Sequence, residues 1–406
     1  MPTRSFTDLL RQAGWQVRSR DSMALLGSAA GRAGHRAFDR MITVPGVYDG
    51  LHFAQFRTGG RLARLAERLA ARPAVPELRA ELERDPADLV LSVFATGALA
   101  AATLRAQQSK GGSQGAAGFS AGDFRAVVYC PDVAAHKLWV HEGTDLFLVS
   151  SPAAAASVRR FRPRAPIALV PPPVRAAFYA APDQAAARER LGIPAAARCA
   201  LLIDSGWGFA PLAGAAAALA RAGVHVLAVA GRNAAGERAL RDLAAVTPGV
   251  HPFGFTDQVP ALMAASDVVV TLPGAATCAE ARVVGRRLLL LDVMPGHGRD
   301  NLLHELEQGG AEACGPTAAD IAASATAMLD SQGLDEGPAA PGLDSPAFDN
   351  TVLDNTVPDN TVLDRTGPSG SAPRRGQHWE PAFAAALGEI GLDVDLDDIF
   401  ETTPTH

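Results

Sequence analysis

The sequence has few cysteines and no long apolar run, and each shortage argues against a class of protein. Four cysteines occur among 406 residues, with no CxxC pair and no histidine at metal-ligand spacing: Cys130, Cys199, Cys278 and Cys314. This argues against a disulfide scaffold and a zinc site, and it fits a reducing cytosol. No stretch of 18 apolar residues occurs, and the N-terminal MPTRSFTDLLRQ lacks the apolar core of a signal peptide. We therefore expect a cytoplasmic protein, soluble or peripheral at the inner face of a membrane.

An excess of basic charge is missing as well. The formal net charge is −6 and the isoelectric point is near 5.9. Binding to nucleic acid would require a local basic patch with a reading motif. The sequence contains no such motif, so no nucleic-acid partner is expected.

What the sequence does contain is an alternation of short apolar runs with alanine-rich stretches. The runs rich in Val and Leu are 88–94, 125–130, 145–150, 199–204, 224–231, 267–272 and 287–292. This rhythm predicts an α/β fold of βαβ units with parallel sheets buried on both faces. Because a single core stops growing near roughly 250 to 300 residues, we expect two such units. The proline-marked stretch 167–178 is the expected boundary between them.

The composition changes after residue 337. From Asp349 the repeats DNTVL, DNTVP, DNTVL and DRTGP follow one another, and such a segment is too poor in apolar residues to bury a core. The predicted divisions are an N-terminal domain at 1–170, a second domain at 171–337, a disordered linker at 338–377 and a helical segment at 378–406. A frayed tail is the alternative for this last segment.

Three glycine-rich stretches are candidate phosphate-binding loops. A phosphate loop follows a strand and opens a helix, so that free N–H groups and the helix dipole converge on the anion. GGSQGAAG (111–118) instead lies between a helix and a strand, which predicts a surface connector. SGWGFAP (205–211) and PGAATCAEA (273–281) have the right neighbours, although each is also compatible with an ordinary tight turn. Glu280, in the second, is placed to accept two ribose hydroxyls, and we expect it to face a cleft rather than the core.

Three segments together resemble a known family. HKLWVHEGTDLFLVSS (136–151), FGFTDQVPALMAASDVVVTLPGAATCAEARVVG (253–285) and MPGHGRDN (294–301) resemble the monogalactosyldiacylglycerol synthase and processive diacylglycerol glucosyltransferase group. That group is related to the N-acetylglucosaminyltransferase that completes the peptidoglycan lipid precursor. The resemblance covers about residues 8–316. It implies two Rossmann-like domains that face each other across a cleft, the glycosyltransferase-B type.

The resemblance also implies a reaction and its partners. A hexose would pass from a UDP-sugar, held by the C-terminal domain, to a lipid-type hydroxyl such as that of diacylglycerol. The UDP-sugar is a donor substrate, and neither a cofactor nor a metal is expected. The donor-site residues implied are Ser205, Gly206, Gly254, Phe255, Thr256, Gly274, Ala275, Ala276, Thr277, Glu280, His297, Asp300 and Asn301.

Catalytic candidates lie in the segment HKLWVH. His136 and His141 flank Trp139 and follow Asp132, which ends a predicted strand. A lone histidine is more often structural, but two histidines around a tryptophan favour a site near the acceptor.

The sequence departs from the family pattern in two places. MPTRSFTDLLRQAGWQVRSRD reads as the first helix and the second strand, so the family's first strand and its glycine-histidine loop are missing. A late start, a truncated gene or a replacement of the lost base by His136 would each account for this. His297 and Gly298 stand where the family usually carries Gln and an acidic residue, which leaves the hexose undetermined. The alternatives are a UDP-sugar-binding protein without turnover and a UDP-sugar epimerase.

A basic segment in the N-terminal domain suggests a membrane contact. Arginines recur every three or four positions beside Leu62, Leu65 and Leu69: Arg57, Arg61, Arg64, Arg68 and Arg72. This predicts an amphipathic helix able to lie on an anionic membrane surface. A solvated helix packed on the sheet by its leucines is the alternative.

Overall fold

The computed structural model describes residues 2–27, 60–111, 123–203, 211–293, 297–331, 362–363 and 378–396. The strands of this part of the chain form two sheets, and every strand pair is parallel. Helices lie between successive strands, as parallel pairing requires. The predicted α/β fold class with two Rossmann-like parallel sheets is confirmed.

The N-terminal sheet is built in sequence order. Its strands are β1 (Leu89–Ser92), β2 (Arg125–Cys130), β3 (Leu146–Val149), β4 (Ile167–Leu169) and β11 (Val362–Leu363), which lie side by side in that order. β3 and β4 are buried along their whole length, as expected for continuous Val/Leu runs in a parallel sheet. β11 falls in the segment predicted to be a disordered linker, and Val362 pairs there with Ile167. The rest of that linker lies outside the described residues.

The C-terminal sheet is doubly wound. Its strands are β5 (Cys199–Ile203), β6 (His225–Val229), β7 (Val250–Phe253), β8 (Val268–Thr271), β9 (Arg287–Leu291) and β10 (Ala311–Cys314). Their spatial order is β10-β9-β8-β5-β6-β7. The chain therefore winds first to one side of β5 and then, from β8 onward, to the other. The direction reverses between β5 and β8, which makes their carboxyl ends the topological switch point.

Helices cover the faces of both sheets. In chain order they are α1 (Pro2–Gln12), α2 (Arg61–Arg84), α3 (Ala95–Gly111), α4 (Pro152–Arg159), α5 (Ala176–Tyr179), α6 (Gln184–Leu191), α7 (Leu212–Arg221), α8 (Ala234–Ala244), α9 (Val259–Ala265), α10 (Ala275–Val283), α11 (His297–Glu307), α12 (Ala318–Ser331) and α13 (Glu380–Gly388). Two 3₁₀ turns occupy Ser22–Leu26 and Lys137–Trp139.

The C-terminal segment packs into the N-terminal unit. Trp379 and Phe383 are fully buried, and each contacts the ring of Phe6 in α1, at centroid distances of 5.1 and 4.9 Å. The indole N–H of Trp379 donates a hydrogen bond of 2.9 Å to the carbonyl of Val174, in the chain that links β4 to the second sheet. The last helix thus holds together the first helix and the connection between the sheets.

Some predicted strands were misplaced. The strand expected directly after α1 was wrong, because residues 15–21 form no strand and run beside the end of α2. Arg18 pairs there with Asp85, and Arg20 pairs with Glu81 at 2.7 Å. Charged side chains at these positions leave too few apolar residues to bury a strand. β4, β7 and β10 were not among the predicted strands, since their sequences are short, interrupted by proline or polar.

Candidate active site

The switch point of the C-terminal sheet brings two predicted turns together. β5 and β8 are hydrogen-bonded neighbours, with Leu202 opposite Val270, so the segments that follow their carboxyl ends meet at one edge. Ligands of open α/β sheets bind in the crevice outside this edge. The turn after β5, with Ser205 and Gly206, lies outside the described residues. The turn after β8 is described and leads through Gly274 into α10.

The N-terminus of α10 is open to a ligand. Gly274 is its N-cap residue and provides no side-chain capping hydrogen bond to the first turn. An added Cβ at Gly274 would meet no atom within 4 Å, and Ala275, Ala276 and Thr277 are half-buried. The first N–H groups of a helix and its dipole attract anions. The geometry therefore suits a phosphate at this helix end.

Glu280 lies one and a half turns further along α10, and it is buried. Its exposed fraction is 6%, and its Oε1 lies 3.4 Å from Nε of Arg175, in the connection between the two sheets. Burial raises the pKa of Glu280, and the nearby Arg175 opposes that rise. The expectation that this carboxylate faces the cleft outside the core was wrong. A ribose there would have to share the carboxylate with Arg175.

The end of β7 presents an exposed aromatic ring beside a glycine. Phe255 is 70% exposed, and the guanidinium carbon of Arg232, after β6, lies 5.0 Å from its ring centroid. A Cβ at Gly254 would meet the carboxylate of Glu237, so a larger residue there would displace the end of that flexible side chain. The hydroxyl of Thr256 accepts a hydrogen bond from the backbone N–H of Gln258. The segment after β7 therefore presents backbone groups and the aromatic ring of Phe255 to a ligand.

The two units touch through Asp132 and Asn301. Asn301, in α11, donates from Nδ2 to Oδ1 of Asp132 at 3.0 Å and accepts at Oδ1 from the N–H of Val133, also at 3.0 Å. Asn301 is only 5% exposed, and Asp300 beside it is half-buried. A predicted donor-side residue and a predicted acceptor-side residue are thus in direct contact. The side chain of His297, at the start of the same helix, lies outside the described part.

His136 and His141 have different surroundings. His141 is buried, with Nε2 2.9 Å from the carbonyl of Leu138 and Nδ1 3.2 Å from Oε1 of Glu67 in α2. Both partners are acceptors, so both ring nitrogens are engaged and a structural role is favoured. His136 is half-buried, and its ring centroid lies 6.1 Å from that of Trp139. A catalytic role for His136 therefore stays a prediction.

The predicted basic helix is α2. Arg57 lies outside the described residues, as do the side chains of Arg64 and Arg68. Arg61 and Arg72 are exposed, and so are Leu65 and Leu69, at 51% and 53%. These two leucines do not pack on the sheet, which removes part of the support for the solvated-helix alternative.

Sequence reasoning missed three residues of this region. Arg175 lies within the proline-marked stretch 167–178, two positions after its last proline, and a lone arginine there could have drawn attention. Arg232 follows the glycine that ends a predicted strand. Glu67 carries no local signal, because its partner His141 is distant in sequence. Among the described residues, no cluster of three or more His, Cys, Asp or Glu side chains is arranged to hold a metal.

Comparison with known proteins gives a family match over the residues of this site. Residues 210–303 match the Glycosyltransferase family 28 C-terminal domain, a range that runs from the start of α7 into α11. A processive diacylglycerol β-glucosyltransferase of Bacillus pumilus is 25% identical over 205 residues, covering 50% of this chain and 53% of that protein. The enzyme of the same name from Bacillus licheniformis is 23% identical over 184 residues, covering 44% and 48%. The resemblance predicted from three segments is confirmed, and the chain spans about half the length of these relatives.

Solved structures resemble this chain at low identity. The MurG protein of Acinetobacter baumannii is 15% identical, with a TM-score of 0.43 over 66% of this chain and 72% of that one. The glycotransferase of kitacinnamycin is 16% identical, with a TM-score of 0.46 over 67% and 76%. In the described part of this chain, no helix is both long and apolar enough to span a bilayer.

Proposed function

We propose that this protein transfers a hexose from a UDP-sugar to a lipid-type hydroxyl such as that of diacylglycerol. The observation that carries the proposal is the family 28 domain over residues 210–303, because it spans the open helix end at Gly274 and the candidate residues Gly254, Glu280 and Asn301. The diacylglycerol glucosyltransferases named above support a hexose and a lipid as the two substrates.

The diphosphate of the donor would bind at the N-terminus of α10. Its N-cap Gly274 leaves room for a phosphate oxygen, and no side-chain cap competes for the first-turn N–H groups. Backbone amides and the helix dipole stabilise negative charge that grows as the diphosphate leaves. Ser205 and Gly206 of the facing turn would complete this cradle, and no metal or cofactor is proposed.

The nucleoside would extend away from α10 towards the end of β7. Glu280 would accept the ribose hydroxyls beside Arg175, whose charge opposes the rise in pKa that burial gives this carboxyl group. The exposed ring of Phe255 and the backbone of Gly254 and Thr256 would hold the uracil. Sugar hydroxyls would meet the start of α11, where His297 and Asp300 lie beside Asn301, whose own amide is engaged with Asp132 and Val133.

The transfer step needs one proton acceptor. The acceptor oxygen attacks the anomeric carbon, and the bond from that carbon to the β-phosphate oxygen breaks. UDP leaves with the bonding electron pair, and the proton of the hydroxyl passes to His136 or Asp132. We propose these two residues because both lie after β2, at the carboxyl edge that faces α11. A catalytic role for His141 stays a prediction that its engaged ring nitrogens do not favour.

We propose that α2 binds the membrane surface and so brings the protein to its lipid acceptor. At about 100° per residue, Arg61, Leu65, Leu69 and Arg72 fall within about 80° of one helix face. The described members of this face are exposed, so it combines apolar side chains with cations. Such a face binds anionic bilayers through buried apolar area and charge attraction. A peripheral position at the cytoplasmic leaflet is therefore part of the proposal.

Transfer assays test the reaction directly. The protein is incubated with vesicles containing diacylglycerol and with radiolabelled UDP-glucose, UDP-galactose or UDP-N-acetylglucosamine, and lipid-extractable label is measured. Label from one donor supports the proposal, and His136→Gln should lower kcat far more than the matched change Glu142→Gln at an exposed neighbouring position. UDP binding by calorimetry without label in any arm would instead indicate a binding protein without turnover. Interconversion of the free UDP-sugar in the absence of lipid would indicate an epimerase.

Vesicle co-sedimentation tests the membrane face. Leu65→Glu together with Leu69→Glu should abolish binding to vesicles that contain anionic lipid. Val246→Glu is the matched control, because Val246 is an exposed apolar residue of the C-terminal unit, at 80% exposure. Equal sedimentation of both variants would remove α2 from the proposal and leave the transfer reaction untouched.

A further inference from the structure

The contact between Asp132 and Asn301 joins the two units through a single side-chain amide. Asn301 Nδ2 donates to the Asp132 carboxylate, and Asn301 Oδ1 accepts from the next residue's backbone N–H, each over 3.0 Å. The partners lie 169 and 168 positions away in sequence, on opposite sheets. A side-chain amide is the group that matches this pair, because it presents one donor and one acceptor side by side.

Asn301 is buried where the two units meet. Its exposed fraction is 5%, so its side-chain amide is shielded from solvent. The residue lies in the first half of α11, the helix that faces the other unit. A buried amide is stable only when its donor and acceptor are both satisfied. Here the loop after β2 satisfies both, so the amide gains these partners only when the two units are together.

We infer that Asn301 is the residue that closes the cleft and positions Asp132 across it. One oxygen of Asp132 is held by the amide, which fixes the direction in which the other can point. Asn301 therefore acts through Asp132 as a positioning residue. The positioning part rests on the proposed function, whereas the closing part stands without it.

Substitutions that change one partner at a time test the closing contact. Asn301→Ala removes both bonds, and Asn301→Asp places a second carboxylate beside Asp132. Because two carboxylates at this distance cannot both be charged, the Asn301→Asp protein should close only at acidic pH. The double change Asp132→Asn with Asn301→Asp restores a donor to a carboxylate, still leaves an acceptor for the N–H of Val133, and should close again at neutral pH.

Closure is measured as energy transfer between dyes on two introduced cysteines, Glu83→Cys and Val246→Cys, in the full-length protein without substrates. The four native cysteines are buried and leave labelling to the introduced sites. Asn301→Ala should lower the ratio of closed to open protein by about tenfold, equal to about 1.4 kcal/mol. Parent-like transfer efficiency in Asn301→Ala, or a double variant no more closed than Asn301→Asp, would overturn the inference. Circular dichroism confirms that each variant is folded.

The transfer assay separates this inference from the proposed function. The double variant should recover closure but only part of kcat, since its position 132 no longer carries a carboxylate while His136 is unchanged. Closure recovered in a protein whose parent transfers no sugar would uphold the closing contact and refute the proposed reaction. Full activity in the double variant would overturn the positioning role of Asn301 through Asp132.

Discussion

The two sides of the cleft differ in which groups form the candidate site, backbone on one side and side chains on the other. On the C-terminal side the phosphate end of the candidate site consists of backbone, with Gly274 opening α10 and Gly254 following β7, and Glu280 is the side chain there that a distant partner holds. On the N-terminal side the site consists of side chains fixed by distant partners. Asp132 is held by Asn301, and His141 is held by Glu67.

This difference decides how each side responds to change. A backbone site depends on the order and register of the strands, so it tolerates substitutions that keep the sheet intact. A site made of partnered side chains fails when one partner is lost, because a buried polar group is then left unsatisfied. The following substitutions challenge this contrast, in order of decreasing expected effect.

The largest effect is expected where the N-terminal unit depends on the far end of the chain. Trp379→Ala removes a fully buried indole that packs on Phe6 and bonds to Val174. Large-to-small changes of buried aromatic residues cost about 3–5 kcal/mol, so the unfolding free energy in urea should fall by that amount. The exposed Val246→Ala should change it by less than about 0.5 kcal/mol. Similar midpoints for both variants would show that the last helix does not belong to the core.

Glu280→Gln should affect both binding and stability. Loss of the charged carboxylate should weaken UDP binding at least tenfold, about 1.4 kcal/mol, measured by calorimetry. Because burial raises the folded pKa of Glu280, the charged carboxylate lowers the stability of the folded state above that pKa, and the neutral amide should raise the unfolding free energy at pH 8. Glu312→Gln, in an exposed pair with Arg287, is the matched control and should change little. Unchanged UDP affinity would show that the ribose does not bind at Glu280 of α10.

Glu380→Gln should stabilise the N-terminal unit at alkaline pH. Burial raises the pKa of Glu380 to about 7, while the unfolded value is near 4.5. The folded state therefore holds a proton that the unfolded state loses, and stability falls as pH rises from 4.5 through 7. At pH 8 the glutamine variant should be more stable by roughly 1–3 kcal/mol. The exposed Glu389→Gln should show the pH dependence of the parent, and so would Glu380→Gln if burial of Glu380 were unimportant.

The contrast between the two sides also explains what the sequence could predict. The Val/Leu runs of β2, β3, β5, β6, β8 and β9 are buried on both faces, and such strands leave a continuous signal. The turn at Gly274 is local too, since strand, glycine and helix follow one another. Burial of Glu280 by Arg175 was not predictable, because the two residues are 105 positions apart and meet only after the sheets are placed. The same holds for the bonds from Asn301 to the loop after β2.

The smallest effect is expected from a histidine pair at the amino ends of β6 and β7, away from the switch point. The rings of His225 and His251 are stacked with centroids 6.0 Å apart. Burial lowers the pKa of His251, and the neighbouring His225 lowers it further. The unfolded state then binds a proton more readily than the folded state, so stability is fully present above pH 6.5 and falls as the pH drops below it. Because His251 is only half-buried, water screens the effect and keeps it below about 1 kcal/mol. Urea midpoints at pH 8 and pH 5 should therefore differ less in His251→Gln than in the parent, while UDP affinity at pH 8 stays the same. An equal pH dependence in both proteins would assign the acid sensitivity to other groups, and a loss of UDP binding would contradict the placement of the nucleotide at the opposite edge of the sheet.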